Sequence, residues 1–417
     1  MSSSTSSSEI PRSWPELSPR RFLCLSGIGC AVTLGLVWLW VAAMPLAFLD
    51  PEYPFWRAKR MLLESCDLGE ILILGDSRAA TGMMPALWPV RAANLAVGGG
   101  EAIEALAALT RATRCPAAPR QIILSIDAGH VTRPDLFWER TARFGFVDSA
   151  EIALLREVSH ALGDTSVYEA RHTDGLPSLA RDLLYRARFP SLWFASLVKG
   201  GVFLRHARNQ AALEAGIASR GHYFFGTASG SGIVAAEGHM RDFRPLPVLD
   251  WYFDQILAHA RARGIPVLFV AMPMNAATAA AVDPGARAGF RSWLAGYEAR
   301  YPGFQVAGAV MPHWPDAFFG DGFSHLNPEG AARFNAGFSL CLRAARLTLT
   351  HPRHPPARPG DLSRHGADGP VEPGHDEERG VRPSQEPPVP GPGLPLISAA
   401  CVQRLQEAPP STQKEAQ

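Results

Sequence analysis

The chain has 417 residues, of which 47% are hydrophobic and 19% charged, with 40 Lys plus Arg against 39 Asp plus Glu. A near-neutral balance argues against a nucleic-acid partner, which calls for a basic excess or stripe. The apolar fraction excludes a wholly disordered chain, and the stretch between two atypical ends suffices for one large or two small domains.

Residues 1–21 are Ser-rich and polar, close with Arg20 and Arg21, and read as a disordered cytoplasmic tail. Phe22 to Leu49 then carries no charge and includes Leu34, Leu36, Val37, Trp38, Leu39, Trp40 and Val41. About 20 apolar residues in a helix cross a bilayer, so 22–49 reads as a single transmembrane anchor. A cleaved signal peptide, cut near Ala42-Ala43, is the competing reading. Arg12, Arg20 and Arg21 precede the span, whereas Asp50 and Glu52 come first after it, ahead of Arg57, Lys59 and Arg60. This charge bias places the N-terminus in the cytoplasm and the body outside a plasma (inner) membrane, in the periplasm where one exists. Cys24 and Cys30 fall in the span. Cys66 and Cys115 each precede a predicted strand, so they are either a disulfide in an oxidising compartment or two small buried thiols.

The body, 50–350, follows. Ile71-Leu72-Ile73-Leu74 is a short apolar run stopped by Gly75-Asp76-Ser77, the pattern of a buried parallel strand. Ala92 to Val97, stopped by Gly98-Gly99-Gly100, is a second strand, and Ile122 to Asp127 a third. Val267 to Ala271 and Phe304 to Ala307 complete five. Between them, Glu101 to Thr113 is Ala- and Leu-rich and helical. Leu246, Leu249, Phe253, Ile256, Leu257 and Ala260 recur at helical spacing, as do Phe290, Trp293, Leu294 and Tyr297, and Pro328-Glu329 opens a last helix. Strands alternating with helices predict an α/β fold in three layers, a parallel five-stranded sheet covered on both faces. Residues 131–245 read as a mainly helical insertion whose basic residues form a solvated face. The Pro- and Gly-rich tail, 351–417, reads as disordered. Its His351 and His354 do not suggest a metal site.

Chemistry gathers in three places. Gly75-Asp76-Ser77 ends the first strand, where open α/β sheets bind ligands, although Asp76-Ser77 could simply cap a helix. Asp321-Gly322-Phe323-Ser324-His325-Leu326-Asn327 precedes the last helix. A serine nucleophile needs a base to accept its proton and a carboxylate to fix the imidazole, and this loop offers both, with Asp316 a second acidic choice. At Gly98-Gly99 a backbone N–H could approach a developing oxyanion; a tight turn is the alternative, and a phosphate loop is disfavoured because no Lys-Ser/Thr follows.

In this order the three blocks resemble the SGNH or GDSL hydrolase family over roughly residues 69–346. The resemblance implies an SGNH/flavodoxin-like sheet, Ser77 as nucleophile, Gly98 (or Gly99) as oxyanion donor, and Asp321 and His325 as acid and base. Two departures stand out. Asp321 lies four residues before His325 where the family commonly has three, and the family's Gly-x-Asn-Asp block is absent. In its place stand Asp127 and His130. An ionised Asp127 cannot donate a hydrogen bond, which leaves His130 or Asn275 as substitutes for the missing amide. Membrane-anchored relatives of polysaccharide O-acetylation and D-alanylation also tend to lack that block. The resemblance therefore implies an anchored serine esterase or O-acyltransferase acting on an envelope polysaccharide. Its partner would be an acylated glycan or an acyl-donor membrane protein, with no metal or other cofactor. The alternative is a catalytically degenerate protein that binds glycan or scaffolds such a system. Oligomeric state is not legible in the sequence.

Overall fold

The short apolar runs assemble into a sheet because every strand residue of the first three is buried, so each run must be covered on both faces. The computed structural model describes residues 18–49, 51–168, 197–198, 201–350 and 397–407. In chain order it contains α1 (Pro19–Ala43), α2 (Pro45–Phe48), α3 (Tyr53–Glu64), β1 (Ile71–Gly75), α4 (Ser77–Gly82), β2 (Ala92–Asn94), α5 (Ala102–Ala112), β3 (Gln121–Ser125), α6 (Gly129–Thr132) and α7 (Ser149–Leu162). These are followed by α8 (Val202–Ala218), α9 (Pro247–Ala262), β4 (Val267–Phe269), β5 (Met274–Asn275), α10 (Ala276–Ala281), α11 (Pro284–Arg300), β6 (Phe304–Val306), β7 (His313–Trp314), α12 (Pro328–Thr350) and α13 (Ala399–Glu407).

The chain divides into two compact units, Met1–Tyr53 with Gly175–Ala211, and Pro54–Asp174 with Ala212–Gln417. The first holds α1, α2 and the start of α8. At 1.5 Å per residue the 25 residues of α1 reach about 37 Å, long and apolar enough to cross a bilayer core of about 30 Å.

The second unit is α/β. Its five strands are all parallel, in the order β2-β1-β3-β4-β6. The direction of winding reverses between β1 and β3, which opens a crevice at their carboxyl ends. One face of the sheet buries Ile71, Ile73, Ile123 and Leu268 against Phe334 and Phe338 of α12. On the other face Phe269 meets Phe253 of α9 and Phe290 of α11. The predicted five strands and four helices thus stand with shifted ends: β2, β4 and β6 stop short of the expected runs, β1 gains Gly75, and α11 extends from Pro284 to Arg300 around the expected Phe290 to Tyr297. Met274 and Asn275 pair in parallel with His313 and Trp314 in a further two-stranded sheet.

Cys66 and Cys115 form a disulfide with Cα atoms 5.5 Å apart. A second links Cys341 in α12 to Cys401 in α13. Of the tail expected to be disordered, residues 397–407 are therefore fixed to the body. Ile397 is buried and exchanges hydrogen bonds with the Gln121 side chain, its N–H donating at 2.9 Å and its carbonyl accepting at 3.1 Å. The few apolar residues there are too sparse to signal packing, and the bridge to a cysteine 60 positions away has no local sequence pattern. The remainder of the tail, residues 1–17 and much of the expected insertion lie outside the described residues. The described parts of that insertion include the end of α6, a π-helical turn over Phe137–Ala142, α7, α8 and a stretch after Ala218 that is mostly neither helix nor strand.

Candidate active site

β1 ends on Gly75 with φ 143°, where a Cβ would lie 1.7 Å from the Ser125 carbonyl oxygen; only glycine lets the chain pass so close to β3. The chain then turns at Asp76, whose carboxylate accepts from Arg78 N at 2.9 Å and Ala79 N at 3.4 Å, the N-cap of α4. Capping is therefore real, but Asp76 performs it and leaves Ser77 at the first helical position with its hydroxyl free for other use.

That hydroxyl meets the last block. Ser77 Oγ lies 2.7 Å from His325 Nε2, and His325 Nδ1 lies 2.6 Å from Asp321 Oδ2. A carboxylate only accepts, so Nδ1 carries the proton, Nε2 presents its lone pair, and the Ser77 hydroxyl donates to it. Asp321 is held in turn, its Oδ1 accepting from Phe323 N at 2.9 Å and His325 N at 3.3 Å. The four-residue spacing closes because Ser324 adopts φ 59°. Such a conformation in a non-glycine residue costs about 1–3 kcal/mol and must be held by its surroundings. Here the buried Ser324 hydroxyl donates to Asn275 Oδ1 and accepts from Asn275 N, each at 3.3 Å. Phe225 stacks on the imidazole with ring centroids 4.6 Å apart.

Burial pushes the His325 pKa below its ordinary value. Asp321 opposes this by hydrogen bond and charge, and the Arg78 and His130 charges reinforce it. Burial raises Asp321, but its hydrogen bond to His325 and that ring's charge outweigh burial and hold it below the usual carboxylate value. The pair therefore rests as neutral imidazole and carboxylate at neutral pH, the state a general base requires.

The Gly98-Gly99 loop lies one strand away. Val97 N donates to Gly75 O at 3.0 Å and Gly100 N to Val97 O at 3.0 Å, which ties a tight turn to the backbone just before Ser77. Gly99 has φ 68°, and a Cβ there would meet Asp135 Oδ2 at 2.5 Å. Among the described residues the amides of Ser77, Gly98 and Gly99 have no hydrogen-bond acceptor. Under this loop Lys59 is fully buried; Nζ donates to Asn94 O at 3.2 Å and also to Ala96 O, and burial lowers its pKa well below the ordinary value.

The remaining sequence candidates do not join Ser77. Asn275 is buried, caps α10, and spends both Nδ2 hydrogens on the carbonyls of Ser231 at 2.8 Å and Ile233 at 2.9 Å. No hydrogen is left for an oxyanion, so its observed work is to brace the His325 loop. Asp127 and His130 belong to a second cluster beneath the site. Asp127 N donates to Asp76 Oδ2 at 2.7 Å. His130 Nδ1 lies 2.9 Å from Asp127 Oδ2 and 3.8 Å from Asp76 Oδ2, and Nε2 lies 3.5 Å from Asp135. At 2.9 Å the Nδ1 contact is an ion pair by distance, without a hydrogen-bonding angle. Burial disfavours the imidazolium, but the surrounding carboxylates raise His130 well above its ordinary pKa. Burial likewise opposes the Asp127 charge, and His130 and Arg78 overcome it and hold that carboxyl well below its usual value.

Arg78 and Glu237 were not among the sequence candidates. Arg78 Nη2 donates to Glu237 Oε2 at 2.7 Å, and Nε donates to the Phe323 carbonyl at 3.2 Å. The residue after Ser77 thus grips the loop that carries His325. Adjacency to Ser77 could have flagged Arg78; Glu237 and Phe225 sit in the patternless insertion.

Donor atoms of Asp76, Asp127 and His130 lie within 4.8 Å of one another, the one grouping of its kind among the described residues. The donors are already committed. Asp76 accepts three amide hydrogens, and the Asp127 charge is met by His130 and by Arg78 Nε at 3.9 Å. A cation there would have to displace an imidazolium and sit beside a guanidinium. The adjoining cavity, lined by Asp76, Arg78, Asp127 and Glu237 among others, measures about 10 Å³, room for about one water. Comparison with protein-family models, curated proteins and solved structures finds no match to this chain.

Proposed function

We propose that the protein is a membrane-anchored, extracytoplasmic serine acyl-ester enzyme of SGNH type, an O-acyltransferase or esterase acting on an envelope polysaccharide. One observation carries the chemistry: His325 lies within hydrogen-bond distance of both Ser77 and Asp321, at 2.7 and 2.6 Å, although 248 positions separate it from the serine. The resemblance of Gly75-Asp76-Ser77, Gly98 and Asp321 to His325 to the family's blocks supports the class.

Ser77 Oγ attacks the ester carbonyl carbon while its proton passes to His325 Nε2. Asp321 holds the imidazole tautomer and stabilises the imidazolium that forms. The amides of Ser77 and Gly98 receive the oxyanion. Each such donor is worth about 3 kcal/mol in the transition state. With Asn275 committed elsewhere, these backbone donors carry that load. Collapse breaks the carbonyl–alkoxy bond, His325 returns its proton to the departing alcohol oxygen, and Ser77 is left acylated. Water or a sugar hydroxyl then gives its proton to His325 and attacks the acyl carbon, and Ser77 recovers its hydrogen. Water makes the enzyme an esterase, a sugar an O-acyltransferase.

The apolar α1 supports an anchor, and two disulfides support a body in an oxidising compartment. A glycan acceptor and a membrane acyl donor follow from the family resemblance together with that anchor. An activated acetyl ester offered to the wild type and to Ser77→Ala tests the chemistry. Release above background by the wild type, with a mass increment of one acetyl on the Ser77 peptide, is the expected result; equal rates overturn it. Adding an acceptor oligosaccharide then separates transfer from hydrolysis.

A further inference from the structure

We infer that the start of α8 sits in the membrane–water interface, with Phe203 and Leu204 among the acyl chains beside the end of α1. The inference rests on α1 crossing the bilayer, and it is independent of the chemistry at Ser77.

The first unit fixes the level of this segment. Val202 is buried in a small apolar cluster with Val41, Ala47 and Phe48, against which Val37 and Met44 pack. Val37 and Val41 belong to the last two turns of α1, so the first turn of α8 lies where the apolar helix ends. Trp40 marks the same level; its ring meets Phe48 at 5.1 Å and its N–H donates to Met44 Sδ at 3.1 Å. Tryptophan favours this boundary because its ring is apolar and its N–H polar.

Beside the inward-facing Val202, Phe203 is 79% exposed and Leu204 76% exposed, and the preceding Val198 is 83% exposed. Large apolar side chains this open in one short stretch mark a surface that something covers. Two bonds prevent the helix from turning them inward: Arg205 donates to Leu49 O at 2.7 Å and Asn209 to Leu46 O at 2.6 Å. Those bonds also satisfy one carbonyl within the short α2 and one just after it, where the helix itself supplies no partner. One turn beyond Leu204 the same face carries the exposed Arg208.

Apolar residues at one level and a cation a turn away fit the acyl and phosphate layers of a lipid surface. Continuity argues for lipid over another protein. The α1 surface is exposed along nearly its whole length, and the solvent suited to it at its final turns also meets the side chains clustered there.

The test uses the full chain in vesicles of phosphatidylcholine with phosphatidylglycerol. Cys24→Ser and Cys30→Ser remove the unpaired thiols. Spin labels are then placed singly at Phe203→Cys, Leu204→Cys and Arg208→Cys, with Val32→Cys in α1 and Leu162→Cys in α7 as references. Collision with oxygen reports lipid, and collision with a water-soluble nickel chelate reports water. The labels at 203 and 204 are expected to favour oxygen severalfold over the 162 reference and to approach the 32 reference, with 208 in between. If 203 and 204 match the 162 reference while 32 reads as lipid, the interfacial placement is overturned and the span stands. A water-exposed label at 32 overturns the span and the placement with it. Shielding of 203 and 204 from both reagents means that protein covers the patch, which also overturns the inference.

Discussion

Two Asp–His pairs lie in neighbouring parts of the α/β unit and are tuned in opposite directions. His325 has a single carboxylate partner, Asp321, and feels the positive charges of Arg78 and His130; burial prevails and keeps the ring neutral. His130 has Asp127, Asp135 and Asp76 within 3.8 Å, and they keep it protonated against the same cost of burial. One side chain in two charge environments becomes a base in one place and a fixed cation in the other. The cation then works on the base: a protonated His130 and Arg78 help His325 remain deprotonated. Asp76 pays part of the cost of this arrangement. Burial and the nearby Asp127 push it up to about 6, against the pull of His130, Arg78 and the Asp127 amide.

The comparison breaks most sharply at the first pair. Ser77→Ala should lower turnover of an activated ester by about 10⁴- to 10⁶-fold while leaving the circular dichroism and urea midpoint near wild type. Asp321→Asn should cost about 10⁴-fold, because an amide can turn its NH₂ toward the ring and select the wrong tautomer. An unchanged rate in steady-state kinetics would remove Asp321 from the triad.

The link between the pairs is tested next. Arg78→Met leaves Glu237 buried without its cation, so stability should fall by about 3–5 kcal/mol in urea titration. Loosening the Phe323 carbonyl should cost about 10- to 100-fold in rate through misplacement of His325. Removing that positive charge should also raise the His325 pKa, so the acid limb of the kcat/KM profile should move to higher pH. A purely structural role would leave the limb in place. Arg78→Lys should not restore the rate, since an ammonium lacks the fork that reaches Glu237 and Phe323 together.

His130→Gln probes the second pair and should have the smallest effect on rate, a few-fold, with the acid limb moving in the same direction by less. Its stability effect has a defined window. Asp127 is depressed in the fold, so its contribution is present above a pH of about 4 and is lost as pH falls through its folded pKa. His130 is raised, so its contribution is present below a pH of about 6.5 and is lost as pH climbs through its folded pKa. The variant should therefore lose about 3 kcal/mol at neutral pH and less below pH 4, read as urea midpoints across the range. A uniform loss at all pH values would argue that the cluster is held by shape and not by charge.

Much of this was legible before folding. Short apolar runs bounded by glycine gave the strands, and helical spacing gave α9 and α11. The choice of Ser77, Asp321 and His325 as candidates followed from residue type and order, and the structure brings the three within hydrogen-bond distance. The substitute donors were misplaced because Asn275 and His130 were weighed by what an amide or imidazole can offer, whereas two carbonyls take both Asn275 hydrogens and His130 is held by charge among Asp76, Asp127 and Asp135. Phe225 stacks on His325 from a region without periodicity, and Cys401 returns to Cys341 from a tail whose composition spoke only of disorder.

By itself the sequence determined the class of the second unit, the apolar first helix and the three candidate side chains, because periodicity and side-chain chemistry are local properties. Tertiary structure decided the distances and the charges. Whether His325 reaches Ser77, whether a histidine holds its proton, and whether Asn275 has a hydrogen to spare depend on groups far apart in the chain, and only packing sets those separations.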